Sequence, residues 1–200
     1  MINPKFQIKY KWPNPRSCLG AFFIFLIVSS HAMFFVPRAS SGEGEIPGRE
    51  HFIKAGFIYN FTKFIKWPKN SINPSRDRFI IAVLGDSPIL ECLRILAREE
   101  KNAGGKKLTI EHFTSLDEIG ECQILFISPS MTGRLEEIFK TVEDRPILVI
   151  GEAPGFAERG GGVNFFVLEN KIRFEFNMNA MDKANLKIDP LLIEVGRIVK

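Results

Sequence analysis

The chain has 200 residues, of which 45% are hydrophobic and 25% are charged, as in an ordinary globular protein and unlike a disordered or multi-span membrane protein. Its formal net charge is +4. Residues 1–41 hold five basic residues and no acidic residue, so the rest of the chain is close to neutral. Without a basic face on that remainder, we predict no nucleic-acid partner.

Residues 1–41 have the pattern of a signal peptide. The segment up to Arg16 is polar and basic, and residues 19–36 are almost continuously apolar, which are the n-region and h-region of an export signal. Small residues at 39–41 favour cleavage before Gly42, and cleavage after Ala32 is an alternative. An uncleaved membrane anchor is a second alternative, because an apolar stretch of this length can span a bilayer. We therefore predict a periplasmic protein.

Residues 42–50 are predicted to be a linker, and residues 51–200 a single α/β domain. The domain begins with an aromatic helix over residues 51–66, in which Ile53, Phe57, Phe61 and Phe64 recur at helical spacing. Pro68 ends it. We expect the Phe57, Phe61 and Phe64 face of this helix to pack into the core.

Strands and helices alternate through the middle of the chain. Asp86 or Ser87 is expected to cap the first of these helices, with Asp86 the first choice. Buried apolar runs between helices are typical of a parallel sheet that is covered on both faces. The predicted fold is therefore a three-layer α/β/α sandwich with a mainly parallel sheet. The predicted strands are 79–84, 107–113, 123–127 and 146–150. One predicted helix follows the first strand and ends near residue 101, and a second spans 132–142.

A C-terminal hairpin is predicted from two strand-like runs, 163–168 and 171–176, joined by Glu169-Asn170. The glycine triplet before it leads into a strand and not into a helix, which favours a tight turn over a phosphate-binding loop. Helical segments are predicted at 178–185 and 190–199.

Catalytic and metal-binding chemistry has few candidate residues. His51 and His112 are the only histidines beyond the leader, and neither has a cysteine or carboxylate at metal-ligand spacing. The motifs of serine hydrolases and nucleotide-binding P-loops are absent from the sequence. We therefore predict a non-enzymatic protein without a cofactor or a metal.

Two cysteines, Cys92 and Cys122, lie beyond the leader. An oxidising compartment would allow a disulfide between them, and the loop it closes predicts a stabilisation of about 3.6 kcal/mol. However, Cys92 lies near a helix start and Cys122 just before a strand, positions that parallel-sheet geometry separates. Two buried free thiols are the alternative, and the sequence leaves both open.

Two stretches carry a family resemblance: KAGFIYNFTKFIKWP at residues 54–68, and GGGVNFFVLENKIRFEFNMNAMDKANLKIDPLLIEVGRIV at 160–199. Together they resemble the YfiR-type periplasmic proteins. The resemblance implies an α/β/α regulator that binds the periplasmic sensor region of an inner-membrane diguanylate cyclase and represses it, lowering cyclic di-GMP. Relatives also accompany histidine kinases or outer-membrane receptors. Family members can carry two disulfides, whereas this chain could form at most one.

A partner-binding surface is predicted over residues 161–177, where the resemblance is densest, with an internal structural role for these residues as the alternative. Arg173 lies between Ile172 and Phe174, so on a strand its guanidinium points to the opposite face, where it could meet a partner carboxylate or Glu169 or Glu175 of the same hairpin. A homodimer is left open, and a small-ligand-binding module without a membrane partner is the alternative function. The predicted partner-binding residues are Gly161, Gly162, Asn164, Arg173 and Asn177.

Overall fold

The computed structural model of the protein describes residues 48–68, 77–100 and 102–199. The predicted signal peptide, residues 1–41, lies outside the described residues, and so does most of the predicted linker, residues 42–50. The first helix already begins at Arg49, within that linker.

The first four helices lie where the apolar periodicity predicts them, with bounds that differ by a few residues. The first has 16 residues and ends where Ile65 adopts an extended conformation. The segment before the third helix is a 3-10 helix over Pro129–Arg134, which replaces the first three residues of the predicted helix 132–142. The α-helices are α1 (Arg49–Phe64), α2 (Ile89–Glu100), α3 (Leu135–Thr141), α4 (Met178–Lys183) and α5 (Pro190–Ile193).

The strands follow the predicted apolar runs closely, and four very short ones are additional. The long central strands consist of buried residues along almost their whole length, because helices cover both faces of the sheet. The strands are β1 (Ile65–Lys66), β2 (Arg78–Leu84), β3 (Asn102–Ala103), β4 (Lys106–Phe113), β5 (Ile124–Ile127), β6 (Leu148–Gly151), β7 (Val163–Leu168), β8 (Lys171–Asn177), β9 (Lys187–Ile188) and β10 (Arg197–Val199).

One eight-stranded sheet runs in the order β10-β8-β7-β6-β5-β2-β4-β3. The neighbours from β4 through β7 are parallel, whereas β7 and β8 form an antiparallel hairpin. The hairpin turn residues Glu169 and Asn170 have φ values of 50° and 57°, the positive values that a two-residue type I′ turn requires. The mainly parallel sheet with a C-terminal hairpin is confirmed.

Two hydrophobic clusters form the core, one on each face of the sheet. Since successive strand residues point to opposite faces, Ile81 and Val83 belong to the cluster under α1 and α2, and Ala82 and Leu84 to the cluster under α3. The three-layer α/β/α arrangement is therefore confirmed.

Helix α1 buries a face that differs slightly from the predicted stripe. Phe61 is fully buried and its ring contacts those of Phe165, Phe174 and Phe176, with centroid distances of 6.2, 5.3 and 6.1 Å. Phe57 and Phe64 are only partly buried, and Ile53 is 38% exposed. The predicted burial of this face is therefore complete at Phe61 and only partial at Phe57 and Phe64.

The predicted last helix, 190–199, is wrong beyond its first turn. Helix α5 ends at Ile193, and Arg197–Val199 instead form β10, which pairs in parallel with β8. Gly196 lies at this transition, close to the rings of Phe174 and Phe176.

Candidate functional site

The β7–β8 hairpin presents two faces of different character. Val163, Phe165 and Phe174 point toward α1 and join the core beneath it. The opposite face is formed by residues that pair across the strands, together with Arg197 of β10, which lies beside Glu175. We call this surface the hairpin face; its residues are Asn164, Phe166, Leu168, Lys171, Arg173, Glu175 and Arg197.

At its inner end, the hairpin face holds a chain of polar contacts. Glu175 is 2% exposed, and one of its oxygens, Oε2, accepts from Arg197 Nε at 2.9 Å and also from Arg197 Nη2. The other oxygen, Oε1, accepts from Asn164 Nδ2 at 2.9 Å. The guanidinium of Arg197 also lies over the Phe166 ring, 4.6 Å from its centroid. These contacts connect β7, β8 and β10.

At its outer end, the hairpin face is open to solvent. Lys171 and Arg173 are exposed, and Leu168 is 54% exposed. Glu175 is one of the two carboxylates of the hairpin that the sequence offers as a partner for Arg173. In the structure Glu175 pairs with Arg197 instead. Two positive charges and an apolar side chain are thus available on this surface.

Four of the five predicted partner-binding residues are buried, which contradicts a direct contact role for them. Asn177 caps α4 by accepting from Ala180 N at 3.1 Å and donates to Ala157 O at 2.6 Å. Asn164 is 4% exposed. Their polar groups hold the fold together, and only Arg173 remains accessible.

Gly161 and Gly162 are buried at positions that leave little or no room for a side chain. A Cβ on Gly161 would overlap the Phe156 ring, and one on Gly162 would lie 3.2 Å from the Leu148 side chain. The preceding Gly160 has a φ of 117°, in agreement with the predicted tight turn. The amides of all three glycines donate to backbone carbonyls, so this loop offers no amide to a phosphate.

Sequence reasoning missed a buried lysine. Lys54, on α1, is 5% exposed and donates to Glu50 Oε1 at 2.5 Å and to Glu152 Oε2. Burial alone would lower the pKa of Lys54, but its hydrogen bonds and the two carboxylate charges raise that pKa above its usual value. The hydrogen bond from Lys54 lowers the pKa of Glu50. The spacing of Glu50 and Lys54 on a helix signals their pairing, whereas only the fold brings Glu152 to them.

Both cysteines are free and buried. Cys92 lies in the cluster under α1 and α2, and Cys122 lies in the cluster on the other face of the sheet. Burial raises the pKa of Cys92 to about 11 and that of Cys122 to about 12. Because the sheet separates the two thiols, the structure contradicts a Cys92–Cys122 disulfide and agrees with the alternative of two free thiols.

Side chains pack closely around Gly85 at the topological switch point of the sheet, where many α/β proteins bind ligands. This switch point lies at the carboxyl ends of β2 and β5, where a Cβ on Gly85 would be 2.6 Å from both Met131 Cγ and Ser128 Oγ. Asp86, which the sequence favoured as the cap of α2, is exposed there. Ser87 Oγ instead accepts from the amide of Ile89, the first residue of α2, at 3.4 Å. Among the described residues, no group of three or more His, Cys, Asp and Glu side chains could hold a metal ion.

Within residues 48–68, 77–100 and 102–199, no helix combines the length and apolarity needed to cross a bilayer.

The solved structures that are similar to this chain include two that show the fold alone. One is the ABC domain in complex with L-Trp from Streptococcus pneumonia, with 10% identity, a TM-score of 0.50, and coverage of 70% of this chain and 59% of that one. The other is a conserved domain protein from Vibrio cholerae O1 biovar El Tor, with 12% identity, a TM-score of 0.50, and coverage of 75% and 60%. The chain thus spans less than two thirds of the length of either. No curated protein matches it significantly.

Family membership rests on a wider match. The profile of the YfiR/HmsC-like family matches residues 51–197. That range extends from the third residue of α1 to the first residue of β10 and includes the aromatic helix, the central sheet and the hairpin. The chain therefore belongs to the YfiR/HmsC-like family.

Proposed function

We propose that this protein is a non-enzymatic periplasmic regulator that binds the periplasmic region of a membrane signalling protein and represses it. The partner is a diguanylate cyclase in the first instance, so the free partner would raise cyclic di-GMP. Family membership supports the regulatory role. The close packing of side chains around Gly85 at the switch point is in keeping with a protein whose output is made by its partner.

The open part of the hairpin face carries the docking proposal. Lys171 and Arg173 give it positive charge, and Leu168 is 54% exposed. An apolar side chain next to cationic groups suits a partner surface with carboxylates around an apolar centre. The contacts beneath it, from Arg197 and Asn164 to Glu175, hold the strands in place, so docking needs little reordering.

The test has two stages, beginning with identification of the partner. This protein is captured from cross-linked envelope membranes, and the proteins bound to it are identified by mass spectrometry. We expect a membrane protein with a periplasmic loop among them. Deleting the gene is expected to raise intracellular cyclic di-GMP, and the wild-type gene to restore it.

The second stage measures the affinity of the partner's periplasmic region for purified variants. Arg173→Glu is expected to weaken binding by about tenfold or more, because it reverses a charge at the interface. Its melting temperature should stay within about 4 °C of wild type, since the side chain is exposed. Lys107→Glu is the matched control and should keep full affinity, because Lys107 is also exposed but lies on β4, near the opposite edge of the sheet. Unchanged binding by Arg173→Glu would remove the hairpin face as the docking surface.

A further inference from the structure

Strand β8 is paired on both sides only over its second half. Its neighbour β7 runs along it from Lys171 to Phe176, whereas β10 pairs only with residues 175–177. In the described part of the chain, no strand pairs with the outer edge of residues 171–174. The outer half of the hairpin therefore leaves the sheet with an open edge.

The hairpin turn determines which backbone groups face this open edge. Leu168 and Lys171 flank the two-residue turn, and such a flanking pair exchanges its hydrogen bonds across the hairpin. Because hydrogen-bonded and non-hydrogen-bonded pairs alternate along an antiparallel ladder, Arg173 bonds to Phe166, whereas the N–H and C=O of Ile172 point away from β7. Ile172 thus presents a donor and an acceptor for which the described strands offer no partner.

The side chains beside this edge differ between the two faces of the hairpin. Lys171 and Arg173 are exposed on the hairpin face. On the opposite face, towards α1, Ile172 is partly buried and its cross-strand neighbour Val167 is 57% exposed. An added strand would meet cations on one face and apolar side chains on the other. Since side chains alternate between faces along a strand, a segment with alternating acidic and apolar residues fits this edge.

The charges also decide which occupant fits. If the same edge of two copies of this chain paired antiparallel about Ile172, Lys171 of each copy would lie opposite Arg173 of the other, and opposed like charges are destabilising. Strand β4 has a similar open stretch beyond its pairing with β3. There, however, Glu111 would repel an acidic strand. The charges thus favour an acidic partner strand, and they favour β8 as its position.

We propose that the partner binds by strand addition, in which an extended segment of its periplasmic region pairs with the backbone of Ile172 at the outer edge of β8. Its carboxylates lie beside Lys171 and Arg173, and its apolar side chains lie against Ile172 and Val167. Main-chain hydrogen bonds supply affinity in this mode, and the alternating side chains supply specificity. The inference rests on the proposed function and gives its docking surface a defined mode of binding.

Amide exchange measured by NMR tests the edge in wild-type protein purified from the cell envelope. In the free protein, we expect the Ile172 amide to exchange fast and the Arg173 amide slowly, because only the amide of Arg173 is bonded to β7. The probe is a capped synthetic peptide in which valine and glutamate alternate over about six residues. With about nine-tenths of the protein bound to it, exchange at Ile172 should slow about tenfold, since only the free protein exchanges there.

Ile110 is the matched control amide on the other open edge. Lys107 N donates to Asp77 O, on the β2 side of β4, so the alternation of a strand turns the amide of Ile110 outward. Its exchange should not change when the acidic peptide binds. A peptide with lysine in place of glutamate is the control for charge and should not bind.

Two N-methylated peptides test whether backbone pairing holds the probe. One is methylated at its valines and the other at its glutamates, and only one of these two sets can face β8. One peptide should therefore lose binding while the other keeps it. Strand addition would be overturned by an Ile172 amide that is already slow in free protein, by no saturable binding of the acidic peptide, or by equal binding of the two methylated peptides.

A variant separates this inference from the proposed function. Ile172→Pro removes the outward N–H but keeps both cations, and proline is tolerated on an edge strand where the N–H faces solvent. It should bind the partner's periplasmic region about tenfold more weakly, the loss expected for one hydrogen bond, whereas Ile172→Val should keep its affinity. The exchange measurement in wild-type protein does not depend on whether Ile172→Pro folds.

The two proposals fail in different ways. If Ile172→Pro binds like wild type while Arg173→Glu is weakened, strand addition is wrong and the docking surface stands. If neither variant is weakened, the hairpin is not the docking surface, and strand addition is wrong with it.

Discussion

The two buried asparagines of the hairpin stabilise the fold through different partners. Asn177 satisfies the first turn of α4 and a loop carbonyl, whereas Asn164 orients the carboxylate of Glu175. On a strand, a polar residue among apolar ones usually indicates the solvent face. Here that inference fails, because Arg197 from β10 and the loop after β6 cover the inner end of the hairpin. The covering segments are distant in sequence, so the pattern of the hairpin alone does not show them.

At the residue scale, we expect both cysteines of the domain to be reduced and unreactive. With pKa values of about 11 and 12, few thiolates exist near pH 8. Alkylation by iodoacetamide should therefore be at least about a hundredfold slower than for an ordinary thiol of pKa about 8.5. Peptide mapping of Cys92 and Cys122 measures the labelled fraction.

The same sample unfolded in guanidinium chloride without reductant is the control, and both cysteines should then be labelled completely. A cross-linked peptide that contains Cys92 and Cys122 would contradict the opposite-face arrangement and restore the disulfide.

At the element scale, α1 is held by aromatic packing against the hairpin. Phe57 and Phe61 both contact Phe165 and Phe174, with centroid distances between 5.1 and 6.2 Å. Beyond the helix, Trp67 donates to Gln123 O at 3.2 Å and lies edge-on to Phe79. The Trp-Pro motif of the sequence thus anchors the end of this segment to the sheet.

Replacing the central ring of this packing should be costly. Phe61→Ala is expected to lower the free energy of unfolding by about 3–5 kcal/mol, because Phe61 is 0% exposed and its removal leaves a cavity. A urea titration of the purified domain measures the loss. Ile53→Ala, on the same helix but 38% exposed, is the control and should cost less than about 1 kcal/mol. A loss below about 1 kcal/mol for Phe61→Ala would mean that this face of α1 is not packed.

The C-terminal segment shows why an apolar helical pattern can mislead. Leu191, Leu192, Val195 and Ile198 have spacings that suit a helix, yet the chain becomes a strand after Gly196. A Cβ at Gly196 would lie 2.7 Å from the Phe176 ring and 2.8 Å from the Phe174 ring. A glycine therefore lets the backbone pass close to the hairpin, and Arg197 reaches Glu175 as a result.

At the scale of the whole molecule, the tyrosines can report whether the predicted leader is removed. The chain has two tyrosines, Tyr10 in the leader and Tyr59 in α1. Burial and a hydrogen bond to Glu100, at 2.9 Å, raise the pKa of Tyr59 to about 12. An unperturbed tyrosine ionises near about pH 10, so the two residues are separable by titration.

We expect mature protein from the envelope to show one tyrosine transition, near pH 12, in ultraviolet absorbance. A raised pKa means that the stability due to Tyr59 is fully present below its unfolded pKa and is lost as pH rises toward 12. The signal is therefore read just after a pH jump, before unfolding, and guanidinium-unfolded protein, which should titrate near about pH 10, is the control. A second transition of equal size near pH 10 in folded protein would show that Tyr10, and hence the leader, is retained.

The sequence by itself determined the architecture of the domain. Uninterrupted apolar runs such as 124–127 and 148–151 can be buried on both faces only in a helix-covered sheet, and Glu169-Asn170 between alternating runs predicts the hairpin turn. Local pattern suffices for these features, because each depends on neighbours within a few positions.

Only the tertiary structure decided which polar residues are internal and which surfaces are open. The partners of Lys54, Asn164 and Glu175 include Glu152 and Arg197, residues that hydrogen bonding of the sheet and its loops brings together from distant segments. The placement of Cys92 and Cys122 on opposite faces likewise follows from the strand register and the helix layer. Such contacts depend on three-dimensional packing, which the spacing of residues along one element does not specify.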